Sequence, residues 1–164
     1  VDVYHALRGD PEVVRYLYDE PLSRSEAGDR LAQLRSEISE PDQWMNLAVE
    51  VVASGQVVGD VGLCWRSDTH RRAEVGYTLL PDHRGLGYAT EAATAMVELA
   101  FGSLGAHRVS GHLDQRNRAS AAVLERLGMR REAHLVENEW VKGEWTDEAV
   151  YAVLAREWRA RPST

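Results

Sequence analysis

The stretch Tyr77-Thr78-Leu79-Leu80-Pro81-Asp82-His83-Arg84-Gly85-Leu86-Gly87-Tyr88-Ala89-Thr90-Glu91 decides how this chain is read. The run Arg72 to Leu80 leads into it, with Glu74, Gly76 and Thr78 alternating against Val75, Tyr77 and Leu79, as a strand requires. A helical run from about Ala89 to Phe101 leads out and is ended by Gly102 and Gly105. Arg84 to Ala89 therefore joins a strand to the first turn of a helix. The first N–H groups of a helix lack intrahelical partners, and the helix dipole adds partial positive charge there. Gly85 and Gly87 allow the backbone to come close to a bulky anion with its N–H groups turned inward. Arg84 adds a formal charge, so the expected ligand is a phosphate or pyrophosphate.

Two common phosphate loops do not fit. A Walker loop needs Gly-Lys-Ser/Thr at the helix start, where Tyr88-Ala89-Thr90 stands. A dinucleotide fingerprint needs a third glycine after the first strand of its unit; position 90 is Thr, and several antiparallel-looking strands come first. Alone, a Gly-x-Gly pair is also the ordinary mark of a tight turn.

Outward from the loop, the chain reads as a single unit over residues 1–164, without repeats or a low-complexity linker. Val3 to Leu17 is helical in pattern, broken at Gly9-Asp10-Pro11, with Asp10 and Pro11 as a cap and first helical residue. A second helix is expected from about Ser25 to Ile38, capped by Ser23 or Ser25. Leu47 to Val52 and Gln56 to Trp65 read as a hairpin about Ser54-Gly55, with Gly59 and Gly62 marking a bulge or a close backbone approach. His107 to Leu113 alternates again. Asn117 opens a helix that ends at Gly128, and Arg131 to Trp140 pairs with Glu148 to Leu154 across Lys142-Gly143-Glu144. This order predicts an α/β or α+β fold with a mixed sheet.

Composition narrows the function. The formal charge of −7 argues against general nucleic-acid binding, which needs a cationic surface, and suits a cationic substrate. No apolar run approaches the ~20 residues that cross a bilayer, so no membrane association is expected. Cys64 is the sole cysteine, which excludes an internal disulfide and fits a reducing, cytoplasmic setting. The six histidines show no metal-ligand spacing, so no metal is expected.

Three motifs together resemble the GCN5-related N-acetyltransferase (GNAT) family. Arg84-x-x-Gly87-x-Ala89 is similar to its acetyl-CoA signature. The flanks Glu74-Val75-Gly76-Tyr77 and Tyr88-Ala89-Thr90-Glu91-Ala92 resemble the branch of ribosomal-protein N-terminal acetyltransferases (RimJ/RimL-like). Asn117-x-x-Ser120 followed by Leu124-x-x-Leu127-Gly128-Met129, and Gly143-x-Trp145-x-Asp147, look like further segments of that branch. The resemblance implies a mixed, mostly antiparallel central sheet flanked by helices, with a splayed strand pair that holds the cofactor. It also implies that the family's usual first strand is missing before residue 1, and that a homodimer is one expectation.

By the same resemblance, Leu79 and Leu80 would pair with the pantetheine arm of acetyl-CoA. Arg84 and the backbone of Gly85, Leu86, Gly87, Tyr88, Ala89 and Thr90 would hold its pyrophosphate, with Asn117 as a further contact. Asn117 is equally a helix N-cap. The implied reaction is transfer of an acetyl group to a primary amine, whether a protein N-terminus, a polyamine or a small metabolite. The alternative is a non-catalytic acyl-CoA-binding module.

Transfer needs the amine's proton removed, the carbonyl oxygen stabilised and the thiolate protonated. A backbone N–H near Leu79 suits the oxygen. Ser120 is the candidate proton donor, against a plain small residue beside the cofactor. Glu74 is the candidate base, through water, against a carboxylate paired with Arg71 or Arg72; Glu50, Glu137 and Glu139 are rivals, and His112 and His134 rank below them. Cys64 has no His/Asp partner in sight, so direct transfer is expected. Trp44 and Trp140 are candidate acceptor walls.

Overall fold

The computed structural model describes residues 1–38, 40–67 and 71–161, without the side chain of Ser67. Helices α1 (Asp2–Gly9) and α2 (Arg24–Leu31) come first, then strands β1 (Trp44–Val51), β2 (Gln56–Ser67) and β3 (Arg72–Leu79). A single 3-10 turn at Pro81–His83 leads to α3 (Tyr88–Phe101), β4 (Arg108–Asp114), α4 (Arg118–Arg126), β5 (Arg130–Val141), β6 (Glu144–Leu154) and α5 (Ala155–Arg159). The strands form one six-stranded sheet in the order β1-β2-β3-β4-β6-β5. All neighbours are antiparallel except β3 and β4. The expected mixed, mostly antiparallel sheet is present. Among the described residues, no helix is long and apolar enough to cross a membrane.

The core lies between the sheet and helices α3 and α4. Ala93, Met96, Val97, Ala100 and Phe101 recur at helical spacing on α3 and are buried against Val61, Leu63, Val75 and Val109. Leu124 of α4 and its C-cap Leu127 complete the same layer.

Two helical expectations are shortened. The chain after Asp10 forms turns instead of a helix: the Asp10 carbonyl accepts from Val13 and Val14 N–H, and its Oδ1 from Glu12 N–H. Tertiary contacts hold the run between Pro11 and Pro21 instead: Leu22 N–H, just after it, donates to Arg8 O at 2.8 Å, and the Tyr18 hydroxyl reaches Glu148. Ser23 caps α2 with a full capping box to Glu26, yet α2 ends at Leu31 rather than Ile38. Beyond it Arg35 runs alongside β1, its carbonyl accepting from Asn46 N–H at 2.7 Å. A backbone partner for the β1 edge outweighs helical propensity there.

One feature of the sheet positions the site. The parallel pairing of β3 and β4 covers only Arg72/Arg108, Ala73/Val109 and Glu74/Ser110. Past Glu74 and Ser110 the strands separate, and β3 continues to Leu79 on β2 while β4 continues to Asp114 on β6.

Candidate active site

The separation of β3 and β4 leaves one edge of β3 unpaired. Leu80 N–H donates to Val58 O on β2 at 2.9 Å, which makes positions 80 and 78 face β2. By the alternation of an antiparallel ladder, the backbone groups of Leu79 and Tyr77 then face away from β2, into the gap. Leu79 N–H is thus a donor aimed at the opening, while Arg84 Nε donates to the Leu79 carbonyl at 3.2 Å. Leu80, expected to share this role, has both backbone groups engaged within the chain, since its carbonyl accepts from His83 N–H at 3.0 Å.

On one side of the gap lies the glycine loop. Gly85 and Gly87 hold φ of +77° and +92°, values that L side chains rarely adopt, and a Cβ at either would meet nothing within 4 Å. The loop is therefore glycine-bearing for its path and for open space above it. Gly87 caps α3 and, having no side chain, gives the first-turn N–H groups of Tyr88, Ala89 and Thr90 no side-chain cap. A cavity of about 920 Å³ spreads over this turn, lined by Leu79, Gly85, Leu86, Gly87, Ala89 and Thr90 and closed across by Val123 and Arg126 of α4. Arg126, an added cation for a phosphorylated ligand, lies far from the loop in sequence, and nothing in its local pattern marks it.

Asn117 caps α4, its side chain accepting from Ser120 N–H at 3.1 Å. This fixes the first turn of α4 beside β3. There Tyr77 reaches across: its hydroxyl donates to the Ser120 carbonyl at 2.9 Å and lies 3.0 Å from Ser120 Oγ. Burial pushes the Tyr77 phenol up to about 12, with the Ser120 hydrogen bond opposing, so it is a neutral donor at ordinary pH. Tyr77 is the site residue that sequence reasoning missed. Its signal was register: it shares the helix-facing side of β3 with Val75 and Leu79.

On the opposite side of the sheet a second cavity, about 250 Å³, meets the gap at Tyr77, Asn117 and Ser120. Trp44 is among its walls. A Cβ at Gly62 would lie 2.9 Å from the Trp44 ring and one at Gly76 3.4 Å, so the indole needs these glycines beneath it. Trp140 is instead 60% exposed and packs edge-on against Trp145. Asp60 and Arg8 face each other at 2.5 Å across the same cavity.

Glu74 sits at the point where β3 and β4 part. Its Oε2 accepts two N–H bonds from Arg66, at 2.8 and 2.7 Å; the partner is Arg66 of β2 rather than the adjacent arginines in sequence. His112, two residues past the last β3–β4 pair, lies 3.1 Å from Glu148. Cys64 is fully buried, and desolvation pushes its thiol up to about 11, which disfavours the thiolate that covalent catalysis would need.

Comparison with known proteins agrees with this geometry. The acetyltransferase (GNAT) domain family matches residues 1–130. The chain is 28% identical over 157 residues to an uncharacterized N-acetyltransferase, p20, of Bacillus licheniformis, covering 96% of this chain and 88% of that one. It is 27% identical over 143 residues to a spermidine N(1)-acetyltransferase of Vibrio cholerae, covering 87% and 80%. The crystal structure of a GNAT-family acetyltransferase from Bacillus anthracis superposes with a TM-score of 0.85 at 25% identity, covering 95% of this chain and 89% of that one. The chain belongs to the GCN5-related N-acetyltransferase family and is an acetyl-CoA-dependent N-acetyltransferase.

Proposed function

We propose that this enzyme acetylates the primary amine of a small cationic acceptor by direct attack within the gap between β3 and β4. The observation that carries the proposal is the gap itself. The glycine-loop cavity reaches β3 at Leu79 and α4 at Val123, and the Trp44-walled cavity reaches the same two elements at Tyr77 and Thr78 and at Ser120 and Leu124, so the two flank the gap. Donor and acceptor can then meet from opposite faces, without a covalent intermediate.

In this reading the first-turn N–H groups of α3 and the Gly85–Gly87 backbone hold the pyrophosphate, with Arg84 and Arg126 adding charge. The unpaired edge of β3 takes the amide-rich pantetheine arm as an extra strand would be taken. Leu79 N–H donates to the carbonyl oxygen as it gains charge. Ser120, turned toward Tyr77, donates to the departing thiolate. Asn117 acts through Ser120, as its cap. A small cation is favoured by the spermidine acetyltransferase relative; the outer cavity beside His112 mixes Asp42, Glu74, Glu139 and Glu148 with Arg66, Arg72 and Arg108.

A CoA-release assay over spermidine, short peptides with free N-termini and aminoglycosides tests this. Turnover of spermidine above the peptides is expected. Acetyl-CoA should raise the melting temperature, and ATP and NAD should not. Acetyl-CoA binding without turnover of any amine would make the chain an acyl-CoA-binding module instead.

A further inference from the structure

We propose that His112, held by Glu148, is the general base that takes the proton from the acceptor's ammonium group, a step that rests on the amine-acetylating function argued above. The position comes first. His112 is on β4 just past its last contact with β3, and its backbone register with Val150 of β6 keeps it on a paired, rigid strand. It lines the acceptor cavity that reaches Ser120 and also the outer cavity at Tyr18, Glu139 and Glu148. A proton collected at the gap therefore has a route outward.

The hydrogen bonds then fix its chemistry. Glu148 is 7% exposed, and its Oε1 accepts from the Tyr18 hydroxyl at 3.3 Å and faces His112 Nδ1 at 3.1 Å. Its Oε2 accepts from Asn138 Nδ2 at 3.1 Å. Asn138 reaches it because the β5–β6 register slips between Leu135 and Glu139. As a carboxylate, Glu148 can only accept. The hydrogen of neutral His112 therefore sits on Nδ1, and Nε2 keeps a free lone pair. This is the arrangement in which a carboxylate orients an imidazole and stabilises the imidazolium it becomes.

Other basic groups near the gap are engaged. Glu74 and Asp42 are paired with Arg66, and Asp60 with Arg8. Arg108, on the strand of His112, is paired with Glu132. Glu139 accepts from Asn138 Nδ2 at 3.1 Å and, with Arg72, shares the outer cavity with Glu148. His134 pairs with Asp147 at 2.6 Å on the outer strand, away from both cavities. Imidazole is also the side chain whose ordinary titration range spans neutrality.

The step balances. Nε2 of His112 takes one proton from R–NH3⁺, directly or through one water. The freed nitrogen lone pair forms the C–N bond, and the C–S bond breaks. The second amine proton leaves the new amide nitrogen as the thiolate is protonated through Ser120. The imidazolium then releases its proton to solvent past Tyr18.

The test compares wild type, His112→Gln, His112→Ala and Glu148→Gln with acetyl-CoA and spermidine. His112→Gln should lower kcat at pH 7 by about 100- to 10,000-fold, the usual worth of a positioned base, with acetyl-CoA affinity unchanged. The acidic limb of the kcat/KM profile should vanish in both His112 variants. Added imidazole should restore part of the rate to His112→Ala, which a merely structural histidine would not allow. In Glu148→Gln the limb should move to lower pH, because the imidazolium loses its carboxylate. Nitrogen-15 NMR of wild type should place the neutral ring's proton on Nδ1, whatever the acceptor. An unchanged limb in His112→Gln, or a proton on Nε2, would overturn the assignment. Loss of all amine turnover in wild type with the Nδ1 tautomer present would instead count against the proposed function.

Discussion

Replacing Tyr77 with Phe tests whether Ser120 is held for chemistry or merely packed. The substitution deletes one hydroxyl, and with it the bond to the Ser120 carbonyl at 2.9 Å and the contact with Ser120 Oγ at 3.0 Å. A neutral buried hydrogen bond contributes about 1 kcal/mol net, so the melting temperature should fall by roughly 2–4 °C for a domain of this size. The effect on rate has a different origin. Tyr77 gives its proton to the Ser120 carbonyl and so anchors the first turn of α4 that carries Ser120 Oγ. Without that anchor, the serine hydroxyl is less precisely placed for the thiolate. A thiolate is a fair leaving group, with an ordinary thiol pKa of about 8.5, so the proton donor's contribution belongs at the low end of acid catalysis. About 100-fold is expected for Ser120→Ala and about 10-fold, or ~1.4 kcal/mol, for Tyr77→Phe. CoA release at saturating acetyl-CoA measures both, and calorimetry measures acetyl-CoA affinity, which should change little. The decisive comparison is the double variant. If Tyr77 acts through Ser120, adding Tyr77→Phe to Ser120→Ala costs no further rate, and the coupling equals the whole single effect. Multiplying losses would show that Tyr77 acts independently. An unchanged rate in Ser120→Ala would remove the serine from the mechanism.

Two further outcomes follow from the same geometry. Burial raises the Tyr77 phenol to about 12 from 10; below pH 10 it is protonated in both states, and as pH rises to 12 the unfolded chain ionises first. Native stability should therefore fall by roughly 2–3 kcal/mol over that window, and chemical denaturation should show a flatter decline in Tyr77→Phe; identical slopes would refute the burial argument. At Gly87, φ of +92° makes any side chain strained, so Gly87→Ala should destabilise the turn by about 1–2 kcal/mol and raise the acetyl-CoA Kd severalfold by calorimetry, whereas unaltered affinity would mean the turn does not form the pyrophosphate cradle.

The strand–loop–helix geometry of the proposed donor side was legible in the sequence because main-chain conformation makes it. A phosphate cradle needs particular φ angles and a helix start, and those constraints act over a few consecutive residues. Gly85, Gly87 and the run beginning at Tyr88 therefore carry the signal themselves. Asn117 and Ser120 were legible for the same reason, since a helix cap and its first turn are three residues apart. The shortened helices α1 and α2 were not, because backbone contacts from β1 and packing of the turns after Asp10 override periodicity, and these partners are distant in sequence.

The proposed acceptor side is built from side chains that four separate elements bring together. Tyr18 comes from the turns before α2, His112 from β4, Asn138 from the β5 bulge and Glu148 from β6. Each is bland in its local context: a lone histidine in a strand, a tyrosine in a loop, an asparagine near a hairpin. Glu148 takes meaning only from the register that sets Asp114 opposite it and His112 on the diagonal. The same register explains why Glu74, the better candidate by sequence, is already engaged in the structure. It stands directly opposite Cys64 on β2, two residues from Arg66, and that guanidinium reaches it first. A proton delivered to Glu74 would break an ion pair, whereas a proton delivered to His112 completes one with Glu148.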